Sequence, residues 1–418
     1  MDRRWDVAGA ASLTALFTTV MMMNSGFFYV SFIEEFGVTR EAASWPASVM
    51  SVVSHSSGLL VSCLQRHLSV FQLGLVGSVF LWAGILAAVF APNMAWMTVT
   101  LGVIHGLGVG VVCVTLIIVV MMYFDKYRGV ASGIKFAGYS MASLLFPTIL
   151  TSLRDAYWLE RMHAGVRGAH HERNSPDITV ERTSVANELS ESCHTNKSTN
   201  QCTRQEPYLP SSFIGQIRNL VIKPKFYACV LAIVAIDYTV AVFPATIVDY
   251  ALDKGASRSH ADLSVTYCSP SELVGRIVLP LIGDSRYVSR TALVSASFIL
   301  LAVTMLVLPA TPSFLAYIIV SACATMLLAC LVAMKPVVVA DYFGIESVAT
   351  GWGFAGVTLL PLLLCNPYII GYFRDVGGSY DGLYQLQAGI HCFVGGLFGL
   401  LSVLDRRRQK KWTTTRTD

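Results

Sequence analysis

The chain has 418 residues, of which 54% are apolar and only 13% charged, and its mean hydropathy is +0.58. A soluble domain carries roughly 25% charged residues, so this composition excludes a soluble globule and predicts an all-α membrane protein. The formal net charge of +4 is accounted for by short basic loops and a basic tail and implies no nucleic-acid partner.

Apolar windows of about 20 residues, enough to span a roughly 30 Å hydrocarbon core, occur first at residues 8–33, 44–63, 72–91, 95–122 and 129–152. They make a five-helix N-terminal bundle over residues 1–152. Residues 153–225 hold no comparable run and are rich in Arg, Glu, Ser, Thr and Asn, the mixed-charge composition of a disordered linker. Within them, residues 211–222 fit either an amphipathic surface helix or, between Pro210 and Pro224, an ordinary linker end; the linker is the preferred reading. Six more windows follow at 226–251, 261–283, 289–309, 313–339, 346–372 and 382–404. They form a C-terminal bundle, 226–404, ahead of a basic tail, 405–418. The first of these eleven segments is too long for a cleaved leader and is expected to stay as an anchor.

Orientation follows from the positive-inside rule. Arg3 and Arg4, Arg66, Lys126 and Arg128, Arg286 and Arg290, and the run from Arg406 to Lys411 mark one set of ends, with both termini, as cytosolic. The opposite ends are mixed or acidic, with Glu34, Glu35 and Glu41 around Arg40, Lys254 and Arg258, and Arg374 beside Asp375 and Asp381. Five crossings put Leu153 outside, yet the second half needs Lys225 inside, so one crossing is missing from the count. The linker's Cys193 and Cys202 permit a disulfide, and Asn196-Lys197-Ser198 is a glycosylation sequon; both are meaningful only on the oxidising side.

No enzyme signature is visible: there is no phosphate loop with its Lys, no helical His-Glu-x-x-His and no pair of Cys-x-x-Cys motifs. No catalytic residue, metal or cofactor is therefore expected. The informative residues are charges inside the spans. Glu272 and Arg276 lie four apart in one window and share a helix face. An uncompensated charge in hydrocarbon costs roughly 2.5–3.5 kcal/mol on insertion scales, so that face is expected to look into protein or water.

The stretch Tyr123 to Gly138, Tyr-Phe-Asp-Lys-Tyr-Arg-Gly-Val-Ala-Ser-Gly-Ile-Lys-Phe-Ala-Gly, resembles the motif at the fifth helix of the monocarboxylate transporters, a branch of the major facilitator superfamily. Ser271-Glu272-Leu273-Val274-Gly275-Arg276 resembles that family's eighth helix, Pro336 to Gly344 its tenth-helix exit, and Gly371 to Tyr380 the loop between its last two helices. The resemblance covers both halves. It implies two six-helix bundles, here with eleven helices in place of twelve, and a substrate held near the midplane and exposed to each side in turn. It also implies a plasma-membrane carrier of monocarboxylates or related small organic anions, with a proton as candidate co-substrate. A single-span ancillary glycoprotein is a candidate partner by the same resemblance, beside membrane lipid.

The chain departs from that pattern in four places. Of the first helix's opening motif only Trp5, Asp6, Ala8 and Gly9 remain; Phe27 stands where proton-coupled lactate carriers have a Lys; Lys135 replaces a small residue; and no sixth helix follows Tyr157. The last leaves a second reading open, a transport-inactive truncated isoform acting as binding or regulatory partner of a full-length carrier.

On the carrier reading Arg276 binds a carboxylate, because a guanidinium presents a planar fork to two oxygens and keeps its charge. Glu272 is its partner in the empty site, where substrate or a proton competes for the pair; the bland alternative is a permanent intrahelical bridge. Lys135 is either a second cation for the substrate or a side chain that snorkels to the cytosolic face. Asp237 is a proton or ion-pair partner or a satisfied structural acid. His55 and His105, mid-span, are gating candidates or lone histidines bonded to a neighbouring helix. Asn24 is expected to glue helices, Lys335 and Asp341 to anchor or gate at a helix exit, and Asp375 to serve a turn with Gly377 and Gly378.

Overall fold

The first apolar window folds in three pieces, α1 (Trp5–Thr18), α2 (Val20–Met23) and α3 (Ser25–Phe36). The protein is described here from a computed structural model that covers residues 2–171, 213–257, 260–261, 263–285 and 287–414; Cys193, Cys202 and the Asn196 sequon lie outside the described residues. The breaks fall at Thr19 and Asn24, whose side chains add a second donor to carbonyls of the preceding turn. Thr19 Oγ1 donates to the Ala15 carbonyl at 2.8 Å, and Asn24 Nδ2 donates to the carbonyls of Val20 and Ala142 at 2.8 and 3.3 Å. An irregular backbone at membrane depth persists only with such partners, so Asn24 ties helices as expected.

Next come α4 (Arg40–Leu64) and α5 (Val70–Val89). Each starts on a side-chain cap, Thr39 on the N–H of Ala42 and Ser69 in a capping box with Gln72. The fourth window is α6 (Met94–Met97), a π-helical stretch Thr98–His105, and α7 (Gly106–Tyr123). Trp5 packs its ring on Phe124 and Tyr127, 4.9 and 6.0 Å between centroids, which gives the remnant of the opening motif its place. Beside it Asp2 accepts the N–H groups of Asp125, Lys126 and Tyr127 at 2.9, 3.4 and 3.3 Å. Slight burial opposes the Asp2 charge, but these donors outweigh it and hold the carboxyl below the usual range.

α8 (Arg128–His171) runs well past the expected boundary at residue 152. No Gly or Pro stands between Pro147 and Gly165, so nothing local stops the helix. Residues 213–221, assigned above to the linker, form the helix α9 (Phe213–Val221). Phe213, Ile214, Ile217, Leu220 and Val221 recur at helical spacing and line one face. The second half comprises α10 (Pro224–Asp253), α11 (Ser264–Asp284), α12 (Arg290–Val307), α13 (Phe314–Phe343), α14 (Glu346–Gly371) and α15 (Asp381–Thr414).

Nine helical segments among the described residues are long and apolar enough to cross a membrane. The broken first window and α11, with its Glu272, Arg276 and Asp284, account for the other two expected segments. α8 leaves the basic face at Arg128, and Pro147 lies about 19 residues, roughly 28 Å, farther along it. α10 begins again at the basic face, where Lys225 pairs with Asp405 of α15 at 2.7 Å.

The two halves meet through helix pairs with no room for a side chain. A Cβ on Gly133 of α8 would stand 1.7 Å from the Arg276 carbonyl of α11, and one on Gly275 would stand 2.0 Å from the Met326 carbonyl of α13. α11 is thus clasped between α8 and α13. Nearer the basic face Asp284, at the end of α11, accepts the N–H groups of Gly129 and Val130 at 3.2 and 2.9 Å, capping the first turn of α8 from the opposite half. Arg290 Nε donates to the same carboxylate at 2.9 Å, and its Nη2 donates to the carbonyls of Asp125 and Lys126 at 2.8 and 2.7 Å. Asp341 accepts from Arg128 of the first half at 3.2 Å and from Arg290 of the second at 3.1 Å, so it lies at the contact of the two halves. On the other helix pair Ser62 bonds Thr350 at 2.5 Å and Gln65 Nε2 donates to the Glu346 carbonyl at 3.0 Å. Among the described residues, the hydrogen bonds between halves lie at or on the basic-face side of Arg276.

Gly353→Ala tests this packing, since its Cβ would stand 2.3 Å from the Leu59 nitrogen. Overpacking of this kind costs about 1–3 kcal/mol, so Tm in detergent should fall by several degrees. Gly396→Ala, whose Cβ meets nothing within 4 Å, should leave Tm unchanged.

Candidate functional site

Five charged side chains lie within the membrane-spanning helices away from their ends: Lys135, Asp237, Glu272, Arg276 and Lys335. Arg276 and Glu272 form the expected pair through Nη2, one turn apart on α11. Nη1 of Arg276 donates across the interface to the Phe136 carbonyl of α8. That reach exists because Gly133 lets the backbones of α8 and α11 come together. The Arg276 side chain is 8% exposed against 24% for Glu272, and its Nε is buried without a partner.

Lys135 is fully buried beside this pair. It does not snorkel to the surface: Nζ donates to the Tyr139 hydroxyl at 3.0 Å and lies 4.0 and 4.5 Å from the centroids of the Phe136 and Tyr139 rings. Its residue neighbours on α8 thus bend it inward, where ring faces favour a cation. Arg276 and Lys335 are near enough to act on it electrostatically. No carboxylate among the described residues stands within ion-pair distance of it.

Lys335 corrects an expectation. It was assigned to a helix exit, but α13 continues two turns beyond it to Phe343, so the side chain lies inside the bundle and pairs with Asp237 of α10. Both are buried, 5% and 7% exposed, and the Trp352 ring of α14 covers the ammonium at 4.1 Å. Asp237 is therefore an ion-pair partner. The cluster counts three cations and two acids, a surplus of one positive charge in a place where charge is expensive.

The remaining candidates lie apart. His55 Nδ1–H donates to the Ser51 carbonyl of its own helix at 2.7 Å, and His105 Nδ1–H to the Leu81 carbonyl of α5 at 3.1 Å. Neither joins the charged cluster. Phe27, on α3, contacts Phe28 with rings 5.6 Å apart. Asp375 is exposed in a π-helical stretch, Tyr372–Val376, ahead of Gly378, whose φ of 72° needs a glycine. Two polar residues of α15 escaped sequence reasoning. His391 donates from Nε2 to Thr239 Oγ1 at 3.0 Å, because that hydroxyl gives its own proton to the Ala235 carbonyl, and Nδ1 is left without a partner, as are both amide atoms of Gln387. Their spacing of four in a largely apolar window is the signal that marks them.

Breaking a buried ion pair from one side costs about 3–5 kcal/mol, whereas replacing both partners is far milder. Asp237→Asn and Lys335→Met should each depress Tm and surface level sharply, and the double variant should recover most of the loss; additive losses would show that the pair is not coupled.

No family model matches the chain. Monocarboxylate transporter 12 of Xenopus laevis is 22% identical over 408 residues, which cover 93% of this chain and 86% of that protein. Monocarboxylate transporter 9 of Mus musculus is 20% identical over 96% of this chain and 92% of its own. A shorter match, 32% over 111 residues and 27% of this chain, is to 24% of monocarboxylate transporter 4 of Gallus gallus. Among solved structures, a point variant of the E. coli fucose:proton symporter superimposes with TM-score 0.68 at 11% identity, covering 96% of this chain and 99% of that one. The outward conformation of the same symporter gives 0.70 at 13%, with 94% and 98% covered. The chain is a multi-pass membrane protein with the major facilitator fold, distantly homologous over nearly its whole length to the monocarboxylate transporters, and these relatives are transporters and not enzymes.

Proposed function

We propose that this distant homologue of the monocarboxylate transporters carries monocarboxylates or related small organic anions across the plasma membrane by alternating access. The observation that carries the reading is Arg276, a guanidinium buried at the contact of the two halves with its Nε unpartnered. A planar fork with an unfilled donor is the complement of a carboxylate. The surplus positive charge that Lys135 brings favours an anion over a neutral or cationic substrate. The relatives' names support the same substrate class.

Substrate competes with Glu272 for Arg276. Removing Glu272 from Arg276 also loosens the hold of Arg276 on α8, so occupancy bears on the contact that joins the halves. With the basic face cytosolic, the arrangement is closed toward the cytosol and faces outward. The second reading, an inactive truncated isoform that partners a full-length carrier, rests on the five apolar windows found before residue 153 where the resemblance implies six helices. Uptake by the purified chain decides between the two.

Arg276→Ala should abolish uptake, and Arg276→Lys, which keeps the charge and loses the fork, should lower it by roughly 10–100-fold at unchanged surface level. Undiminished uptake by Arg276→Ala would sink the carboxylate assignment. Glu272→Gln removes the charge that competes with substrate for Arg276, so KM should fall in that variant, and an unaltered KM would remove Glu272 from the site.

A further inference from the structure

The cluster at the centre of the membrane domain is not neutral, and the groups around its odd member hold the charge in place. Lys135 has two aromatic faces and a hydroxyl about its ammonium, contacts that offset part of the cost of burying a cation. From the other helices it is faced by Cys113 of α7, Arg276 of α11 and Lys335 of α13. The two cations among these are already balanced by Glu272 and Asp237. A donor without an acceptor lies at the same place, the Nε of Arg276, buried and unpartnered. Buried polar groups without partners mark a missing water or ion, and here the missing species must be an acceptor and an anion.

We propose that the protein is an obligatory anion exchanger, in which Lys135 and Arg276 hold a small inorganic monoanion such as chloride on the stroke that returns without organic substrate. The proposal rests on the carboxylate-carrier reading above. A monoanion of either kind brings the sum of the five charges to zero, so the loaded site passes between its two orientations as a neutral unit. The empty site would carry a bare positive charge through hydrocarbon and against or with the membrane potential, which makes its reorientation slow. One anion moves each way, with no proton taken up and no net charge transferred. Loss of a proton from Lys135 on the return stroke would instead make a proton symporter, and the response to an imposed pH gradient separates the two.

The test uses the purified full chain in liposomes, with radiolabelled pyruvate, L-lactate and butyrate as probes and a lumen filled with either potassium chloride or potassium sulfate. Exchange predicts that internal chloride speeds uptake by roughly tenfold or more over internal sulfate, that a potential set with valinomycin leaves the rate unchanged, and that an imposed pH gradient does the same. Lys135→Met should lose the chloride effect. Should that variant fail to fold, the native protein alone is decisive. Equal uptake into chloride and sulfate, or uptake driven by the pH gradient whatever the lumen holds, would overturn exchange and leave the carboxylate carrier standing. No uptake of any probe by protein that reconstitutes folded would overturn the carrier reading and exchange with it.

Discussion

The contact of α8 with α11 is the constraint on which the rest of the membrane interior depends. With no Cβ on Gly133, the Arg276 carbonyl sits where a side chain would begin, and the guanidinium on the same residue can reach the Phe136 carbonyl of the opposite half. A larger residue at position 133 would part the helices and leave a buried arginine with an unmet donor. The same closeness brings Lys135 to Arg276. Small residues thus set the helix spacing, helix spacing sets which charges are neighbours, and the neighbours make the proposed anion site.

Gate and site lie on one pair of helices. Asp284 caps the first turn of α8, and two turns along α11 from that carboxylate Arg276 binds α8 again. Separation of the halves at the basic face therefore strips the cap from α8 and pulls Arg276 from Phe136 in one movement. An anion that takes Arg276 from its present partners acts on the same equilibrium, which is the differential contact a carrier needs to link occupancy to orientation. The acidic face is built differently. There Arg374 clamps Asp249 and Asp253 at 3.1 and 2.5 Å, and Tyr380 donates to Asp249 at 2.9 Å, all within the second half, so those ties hold one bundle together without joining it to the other.

Much of this was legible because membrane helices announce themselves by length and apolarity. All eleven windows contain helix, and the Glu272–Arg276 pair could be read from a spacing of four. Whatever depends on a partner distant in sequence was not legible. Lys335 and Asp237 are 98 residues apart, and nothing local to either reveals the other. The inward turn of Lys135 rests on aromatic neighbours whose direction only the packed helix defines. Breaks at Thr19 and Asn24 follow from side chains that hydrogen-bond backbone, a choice open to the same residues in an unbroken helix. α9 was within reach of its own periodicity and lost to the prolines on either side.

The central claim is that a carboxylate occupies the α8–α11 contact by taking Arg276 Nε. The direct measurement is the structure of the protein with 3-bromopropionate, located by anomalous scattering from bromine. The account predicts a bromine peak beside Arg276 and Lys135, with the carboxylate on the guanidinium and Glu272 displaced from it. A ligand bound elsewhere, with Arg276 still held by Glu272 and the Phe136 carbonyl, would contradict it.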